Sequence, residues 1–155
     1  MHAFTTAIFL SNFWLGTVAL GETLATQRAR LLQSIKTTHS LSNNQLLTIK
    51  KIIDSSPVIG QGNPAISKHP ISTEQCRTNL KKNNIELSNS DHQKICGGPY
   101  MAPLYNPKTE KPTDAKTCID QFEFPNIPCD YPVVWVRTSE AAMICEAMDK
   151  RLCDA

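Results

Sequence analysis

The chain has 155 residues, of which 41% are hydrophobic and 6% aromatic, as expected for a soluble protein with one ordinary domain and a modest core. The formal net charge is only +2, and no basic stripe with interleaved aromatic side chains is evident, which argues against a nucleic-acid partner. The apolar residues concentrate in two blocks, 1–21 and 118–153, and the polar stretch between them is broken by prolines.

The first block contains no Asp, Glu, Lys or Arg over residues 1–21. Its apolar run, "AIFLSNFWLGTVALG", is typical of a secretory signal segment. Small residues at Ala19 and Gly21 suit the positions before a cleavage site, and Thr23 with Ala25 is a second option. The sequence therefore predicts export to the periplasm or the extracellular space. It predicts a membrane partner only if this segment stays uncleaved and spans the bilayer.

Residues 22–95 are predicted to form a polar extension rich in short helices and loops. The first helix is predicted over 26–36. The second is predicted over 42–56, where Ser42 and Gln45 form a capping box and apolar residues recur at helical spacing. The apolar residues expected to face a core are Leu31, Leu32, Ile35, Leu46, Ile49 and Ile53.

In the rest of this extension, prolines and glycines interrupt the helical pattern. Residues 57–70 include three prolines and two glycines and predict a loop. Its Gly-x-Gly has neither a strand before it nor a helix straight after it, so it is not expected to bind phosphate. A third helix is predicted over 72–84, where Ser72 and Gln75 form another capping box.

The last part of the chain, 96–155, is predicted to begin a different domain. Residues 96–116 include four prolines and predict an irregular segment. The alternating pattern of 117–124 predicts a strand, and the apolar run 133–136 predicts a second one.

A helix is predicted over 138–150, with Thr138 or Ser139 as its N-cap. Asp149 is expected near the left-handed position that follows a helix, where glycine is preferred. The residues predicted to form the buried stripe of this helix are Ala141, Cys145 and Met148.

The six cysteines are Cys76, Cys96, Cys118, Cys129, Cys145 and Cys153. No two of them have CxxC spacing, and no histidine stands beside them in a zinc-site pattern. Because export is predicted, disulfides are expected, with buried free thiols as the alternative. We expect Cys76 to pair with Cys96, since they are the only cysteines before the strand at 117–124 and the loop-rich region between 57 and 117 needs covalent support.

Two segments, "CIDQFEFPN" and "YPVVWVRTSEAAMICEAMDKRLC", contain a series of short motifs. The first is an acidic, aromatic strand followed shortly by asparagine. The second has a Pro-Val strand, a helix that starts with an acidic residue and alanine, and then Lys-Arg-Leu. Their order and spacing over about 117–153 resemble the N-terminal part of the formylglycine-generating enzyme domain, also called the sulfatase-modifying factor domain. The motif residues are Asp120, Phe122, Glu123, Asn126, Lys150, Arg151 and Leu152.

The sequence departs from the family pattern at a few positions. Asp149 stands where the family usually has glycine, Trp135 where it often has glycine, and Cys153 where proline is common. These departures favour membership of a cysteine-rich, exported branch of the family. In the family the pattern continues after Lys-Arg-Leu into another helix, so the resemblance predicts that residues 1–155 belong to a longer domain cut on its C-terminal side. A self-sufficient small protein stapled by disulfides is the alternative.

The resemblance implies an irregular α+β fold related to C-type lectins. In active members, a cysteine pair in the C-terminal part binds copper and uses oxygen to oxidise a cysteine of a protein or peptide substrate to formylglycine. The resemblance therefore implies that a longer protein binds copper, with calcium as a second candidate metal. It implies no metal for residues 1–155 themselves. No catalytic, cofactor-binding or metal-binding residue is expected within residues 1–155. A non-catalytic extracytoplasmic binding or scaffold module on the same fold is the alternative.

Asp120 and Glu123 form a pair of carboxylates of the kind that can act as acid and base. They are an odd number of residues apart on a predicted strand, so their side chains are expected on opposite faces. We therefore expect them to make structural hydrogen bonds to nearby loops.

Overall fold

The computed structural model describes residues 23–63 and 69–153. Within these ranges the chain has an α+β architecture, with five α-helices, a single turn of 3-10 helix and one small antiparallel sheet. The elements in chain order are α1 Leu24–Thr38, α2 Asn43–Ser55, α3 Thr73–Lys82, α4 Ser90–Cys96, β1 Met101–Leu104, the 3-10 turn Pro112–Asp114, β2 Thr117–Asp120 and α5 Thr138–Ala147. The predicted signal segment 1–21 lies outside the described residues.

The first two helices form where local signals predict them. At α2, the Ser42 hydroxyl accepts a hydrogen bond from the Gln45 N–H and the Gln45 side chain accepts one from the Ser42 N–H, so the predicted capping box is confirmed. Helix α3 begins with the same arrangement at Ser72 and Gln75. None of the α-helices in the described ranges is long and apolar enough to cross a membrane.

The core lies between α1, α2 and α5. Its buried apolar side chains are Leu31, Leu32, Ile35, Leu41, Ile49, Ile53, Ile59, Ile144 and Met148. Helix α2 packs against both α1 and α5. The helices predicted for the N-terminal extension therefore supply the apolar surface that covers α5.

Helix α5 differs from its prediction in which residues it buries. Met148 is buried as predicted, but Ala141 and Cys145 are only half-buried and Ile144 takes the other core position. Ile144 and Met148 are one helical turn apart, on the face that packs against α2. The helix also begins at Thr138, so the N-cap is Arg137 and not Thr138 or Ser139.

The sheet pairs β1 with β2 in antiparallel register, with Met101 opposite Asp120 and Leu104 opposite Thr117. Strand β1 lies inside the segment predicted to be irregular, so that prediction is wrong there. The predicted strand 117–124 is shorter than expected: β2 ends at Asp120, and the chain turns over 123–126, where the Asn126 N–H donates to the Glu123 carbonyl at 2.8 Å.

The strand predicted over 133–136 is wrong. This segment makes only an isolated bridge, in which Val134 pairs with Gly60. A strand needs an extended path and a continuous partner, and Trp135 has a φ of 62° that breaks the extended path. The Trp135 side chain is 72% exposed.

The expectation of disulfides is confirmed, but the expected Cys76–Cys96 pair is wrong. Cys76 of α3 bonds to Cys129, and Cys96 at the end of α4 bonds to Cys118 of β2. Helix α4 packs beside β1, the partner strand of β2, which brings Cys96 close to Cys118. Cys145 and Cys153 are free thiols.

Candidate functional site

Four polar side chains meet where β2, α1 and α5 end. Asp120 is the last residue of β2, Asn126 lies in the loop that follows, His39 is the C-cap of α1, and Lys150 lies just beyond α5. We call His39, Asp120, Asn126 and Lys150 the polar cluster. It joins three of the residues that carry the motif resemblance to a histidine far away in the sequence.

The centre of the polar cluster is an ion pair. The Lys150 ammonium donates to the two carboxylate oxygens of Asp120 at 2.6 and 2.8 Å. The two side chains are 21% and 25% exposed, respectively. Partial burial strengthens the attraction between the charges, but it also makes each charge costly if its partner is removed.

The turn after α5 sets the position of Lys150. Asp149 adopts the left-handed conformation predicted for it, with a φ of 57°. The Asp149 N–H donates to the Glu146 carbonyl at 3.0 Å, and the Lys150 N–H donates to the Cys145 carbonyl at 2.9 Å. These two bonds form a Schellman motif, which ends the helix and turns Lys150 back toward β2.

Asn126 ties Asp120 to the loop that follows β2. It is only 1% exposed, so each of its polar atoms needs a partner. Its side-chain oxygen accepts from the Phe122 N–H at 3.1 Å, and its side-chain nitrogen donates to Asp120 at 3.1 Å. Asn126 therefore fixes the carboxylate and the loop in one arrangement.

His39 closes the polar cluster from the side of α1. Its Nε2 lies 2.9 Å from the Pro125 carbonyl oxygen, and its Nδ1 lies 3.3 Å from the Lys150 ammonium. A carbonyl oxygen only accepts and an ammonium only donates, so both contacts are satisfied by the neutral ring with its proton on Nε2. Burial lowers the pKa of His39 below its ordinary value of 6.5. The Pro125 hydrogen bond opposes that shift, the Lys150 charge adds to it, and the Asp120 charge opposes it.

Stability is expected to fall as the pH drops below 6.5, the ordinary pKa of histidine. Since the pKa of His39 is lower in the folded protein, the unfolded chain binds more protons between the folded pKa and 6.5, and stability in that window rises with pH. Above 6.5 the contribution of His39 is fully present. Urea unfolding between about pH 5 and 8 measures this slope.

The matched control for this prediction is His39→Gln, whose amide can donate to the Pro125 carbonyl and accept from Lys150 without titrating. We expect a shallower pH slope in this variant below 6.5. Equal slopes in the two proteins would show that His39 does not contribute to the pH dependence.

The other motif residues do not enter the polar cluster. The Phe122 ring packs edge to face on Tyr100, with ring centroids 5.8 Å apart. Glu123 and Arg151 are exposed, and Leu152 is 36% exposed. Asp120 makes the structural hydrogen bond to the following loop that the sequence predicts. Sequence reasoning missed His39 because no local pattern near α1 indicates a partner in β2 or beyond α5.

A second candidate site is a cleft of about 740 Å³ between α1, α3 and the segment that precedes α5. Its wall includes Arg30, Glu74 and Tyr131. Arg30 lies 3.5 Å from the Asp130 carboxylate, and the His69 ring stacks on Tyr131. The mixture of cationic, anionic and aromatic side chains suits a polar peptide better than an apolar ligand.

Copper is the metal implied by the resemblance, and cysteine and histidine are the side chains suited to hold it. Among residues 23–63 and 69–153, no group of three or more His, Cys, Asp or Glu side chains is placed to hold a metal ion. Burial also raises the pKa of the free Cys145 thiol above its ordinary value; Lys150 opposes this rise, and Asp120 and Cys153 add to it. A raised thiol pKa disfavours the thiolate that a soft metal needs.

Comparisons with protein-family models, with curated proteins and with solved structures found no match. Within residues 23–63 and 69–153 the chain has an α+β architecture, two disulfides and a partly buried polar cluster at the end of strand β2.

Proposed function

We propose that residues 117–153 form the first part of a domain of the formylglycine-generating type in an exported protein, and that the complete protein oxidises a cysteine of a protein or peptide substrate. The observation that carries this proposal is the polar cluster. Asp120, Asn126 and Lys150, which the sequence resemblance selects, are joined by direct hydrogen bonds. A chance match of short motifs would not require these residues to meet.

In this proposal the role of the residues described here is structural. The polar cluster holds the end of β2, the following loop and the end of α5 in fixed positions. Copper, with calcium as a second candidate, would be held by residues of a longer protein, and no step of the chemistry is assigned to Cys145 or Cys153. Support for export comes from the two disulfides, because oxidised cysteines persist mainly in exported proteins.

The test compares the 155-residue chain with the complete product of its gene, both recovered from an exporting host. Each is incubated with a cysteine-containing peptide, copper and oxygen, and peptide aldehyde is measured by mass spectrometry. We expect aldehyde only with the complete product, and a mature N-terminus near Glu22 or Thr26. Failure of the complete product to form aldehyde contradicts the oxidase proposal, and an intact Met1 in cytoplasmic material contradicts export.

The second candidate function is a non-catalytic binding or scaffold module on the same fold. The observation that favours it is the polar cleft beside α3, which is open to solvent and has cationic, anionic and aromatic side chains in its wall. The same experiment separates the two functions. Binding of the peptide without aldehyde, and weaker binding in Arg30→Ala, would favour the binding module.

A further inference from the structure

The two free cysteines lie on either side of the turn that ends α5. Cys145 is in the last turn of the helix and is half-buried, whereas Cys153 follows the turn and is exposed. The other four cysteines all form disulfides. Cys145 and Cys153 are therefore the two cysteines that can still be oxidised to a disulfide.

The Schellman turn brings the chain back over the end of α5. The Lys150 N–H bonds to the carbonyl of Cys145 itself at 2.9 Å, and only Arg151 and Leu152 separate Lys150 from Cys153. The Lys150 side chain is held on Asp120, which fixes the direction in which the chain leaves the turn. A disulfide needs Cα atoms within about 7 Å, and only the seven residues 146–152 separate Cys145 from the exposed Cys153, so the loop to be closed is short.

The surroundings of the Cys145 thiol include Cys153. Burial is the main cause of the raised pKa of Cys145, and Cys153 is among the nearby groups that add to it. Cys153 therefore lies near enough to Cys145 to affect its ionisation.

We propose that Cys145 and Cys153 are a redox-active pair that forms a third disulfide by exchange with a small-molecule disulfide such as oxidised glutathione. Two S–H bonds are lost and one S–S bond forms within the chain. The disulfide of the reagent accepts the two electrons and the two protons, and two glutathione thiols are released. This inference does not depend on the proposed oxidase function.

Exposure sets the order of the two exchange steps. The Cys153 thiolate attacks the reagent first, because it is the accessible thiol, and one glutathione leaves. Cys145 is half-buried and less readily ionised, so it is a poor first nucleophile, but it lies next to the mixed disulfide once that has formed. Its attack on the Cys153 sulfur releases the second glutathione and closes the loop around Lys150.

The experiment treats the chain, with its two structural disulfides intact, with oxidised glutathione at mildly alkaline pH. Trypsin then cleaves after Arg137, Lys150 and Arg151. We expect the peptide 138–150, which contains Cys145, to be joined by a disulfide to the peptide that begins at Leu152 and contains Cys153. Dithiothreitol should separate them.

Two variants test the order of the steps. In Cys145→Ser the glutathione adduct on Cys153 should persist, because no thiol is available to displace it. In Cys153→Ser the thiol of Cys145 should remain largely unmodified over the same period. Cys96 and Cys118 should stay bonded in both variants and serve as the internal control.

Three outcomes would overturn the proposal. One is a stable glutathione adduct on Cys153 in the unmodified chain, with Cys145 still reduced. Another is a disulfide-linked dimer in place of the internal loop. The third is modification of Cys145 in Cys153→Ser as fast as modification of Cys153 in the unmodified chain.

Discussion

Replacing both Cys76 and Cys129 with alanine is expected to release α3 from the rest of the protein and to lower the free energy of unfolding by about 4 kcal/mol. The two cysteines are 53 residues apart, and a cross-link that closes a long loop removes more entropy from the unfolded chain than one that closes a short loop. Helix α3 has no fully buried side chain, so apolar packing contributes little to its position.

Limited proteolysis and urea unfolding measure this effect. Trypsin should cleave the double variant early at Arg77, Lys81 and Lys82, which lie on α3 and are accessible once the helix detaches. In the unmodified protein a hydrogen bond also holds the residue two positions before α3: the Tyr131 hydroxyl donates to the Ile71 carbonyl. Persistent resistance of α3 in the double variant would show that such non-covalent contacts are sufficient.

The matched control replaces Cys96 and Cys118. That pair is only 22 residues apart, so the expected loss in the free energy of unfolding is about 3 kcal/mol. Its removal should loosen α4 and β2 without early cleavage within α3. Early cleavage at the same sites in both double variants would indicate global unfolding and would contradict the specific role of Cys76–Cys129.

Replacing Lys150 with methionine is expected to lower the free energy of unfolding by about 2 kcal/mol. Methionine keeps most of the apolar stem but removes the ammonium that pairs with Asp120, whereas the Asn126 side chain still donates to that carboxylate. The Lys150 and Asp120 side chains are 21% and 25% exposed. The expected loss in the free energy of unfolding therefore lies between that for breaking an exposed ion pair and that for breaking a fully buried one. Urea unfolding at neutral pH measures it.

The control for this prediction is Lys50→Met on α2. Lys50 pairs with Asp54 one turn away, and their side chains are 52% and 48% exposed, so the expected loss is below about 0.5 kcal/mol. Adding Asp120→Asn to Lys150→Met should recover part of the lost stability, since the uncompensated charge is then removed. Equal losses in Lys150→Met and Lys50→Met would show that the Asp120–Lys150 pair acts like an ordinary surface pair.

Most helical elements could be predicted from the sequence because their signals are local. Ser42 and Ser72 each have a glutamine three residues later, and a capping box needs no partner outside the helix that it begins. The left-handed conformation of Asp149 could be predicted for the same reason, since it depends on where α5 ends.

The motif residues of the polar cluster could be named from the sequence, but their contacts could not. The spacing of Asp120 and Asn126 within one loop is local, whereas the His39–Lys150 contact joins residues 111 positions apart. No periodicity within α1 indicates that contact. The sequence also could not predict that Ile144, and not Cys145, faces α2, because that choice depends on how α2 approaches α5.

The sequence by itself determined the capped helices, the expectation of disulfides and three residues of the polar cluster, Asp120, Asn126 and Lys150, because each depends on residue type and short-range spacing. Only the tertiary structure decided the pairing of Cys76 with Cys129 and of Cys96 with Cys118, the strand β1, and the placement of His39 against Lys150. These features depend on which distant segments pack together. The packing of α2 against α1 and α5, and of α4 beside β1, sets several of those distances.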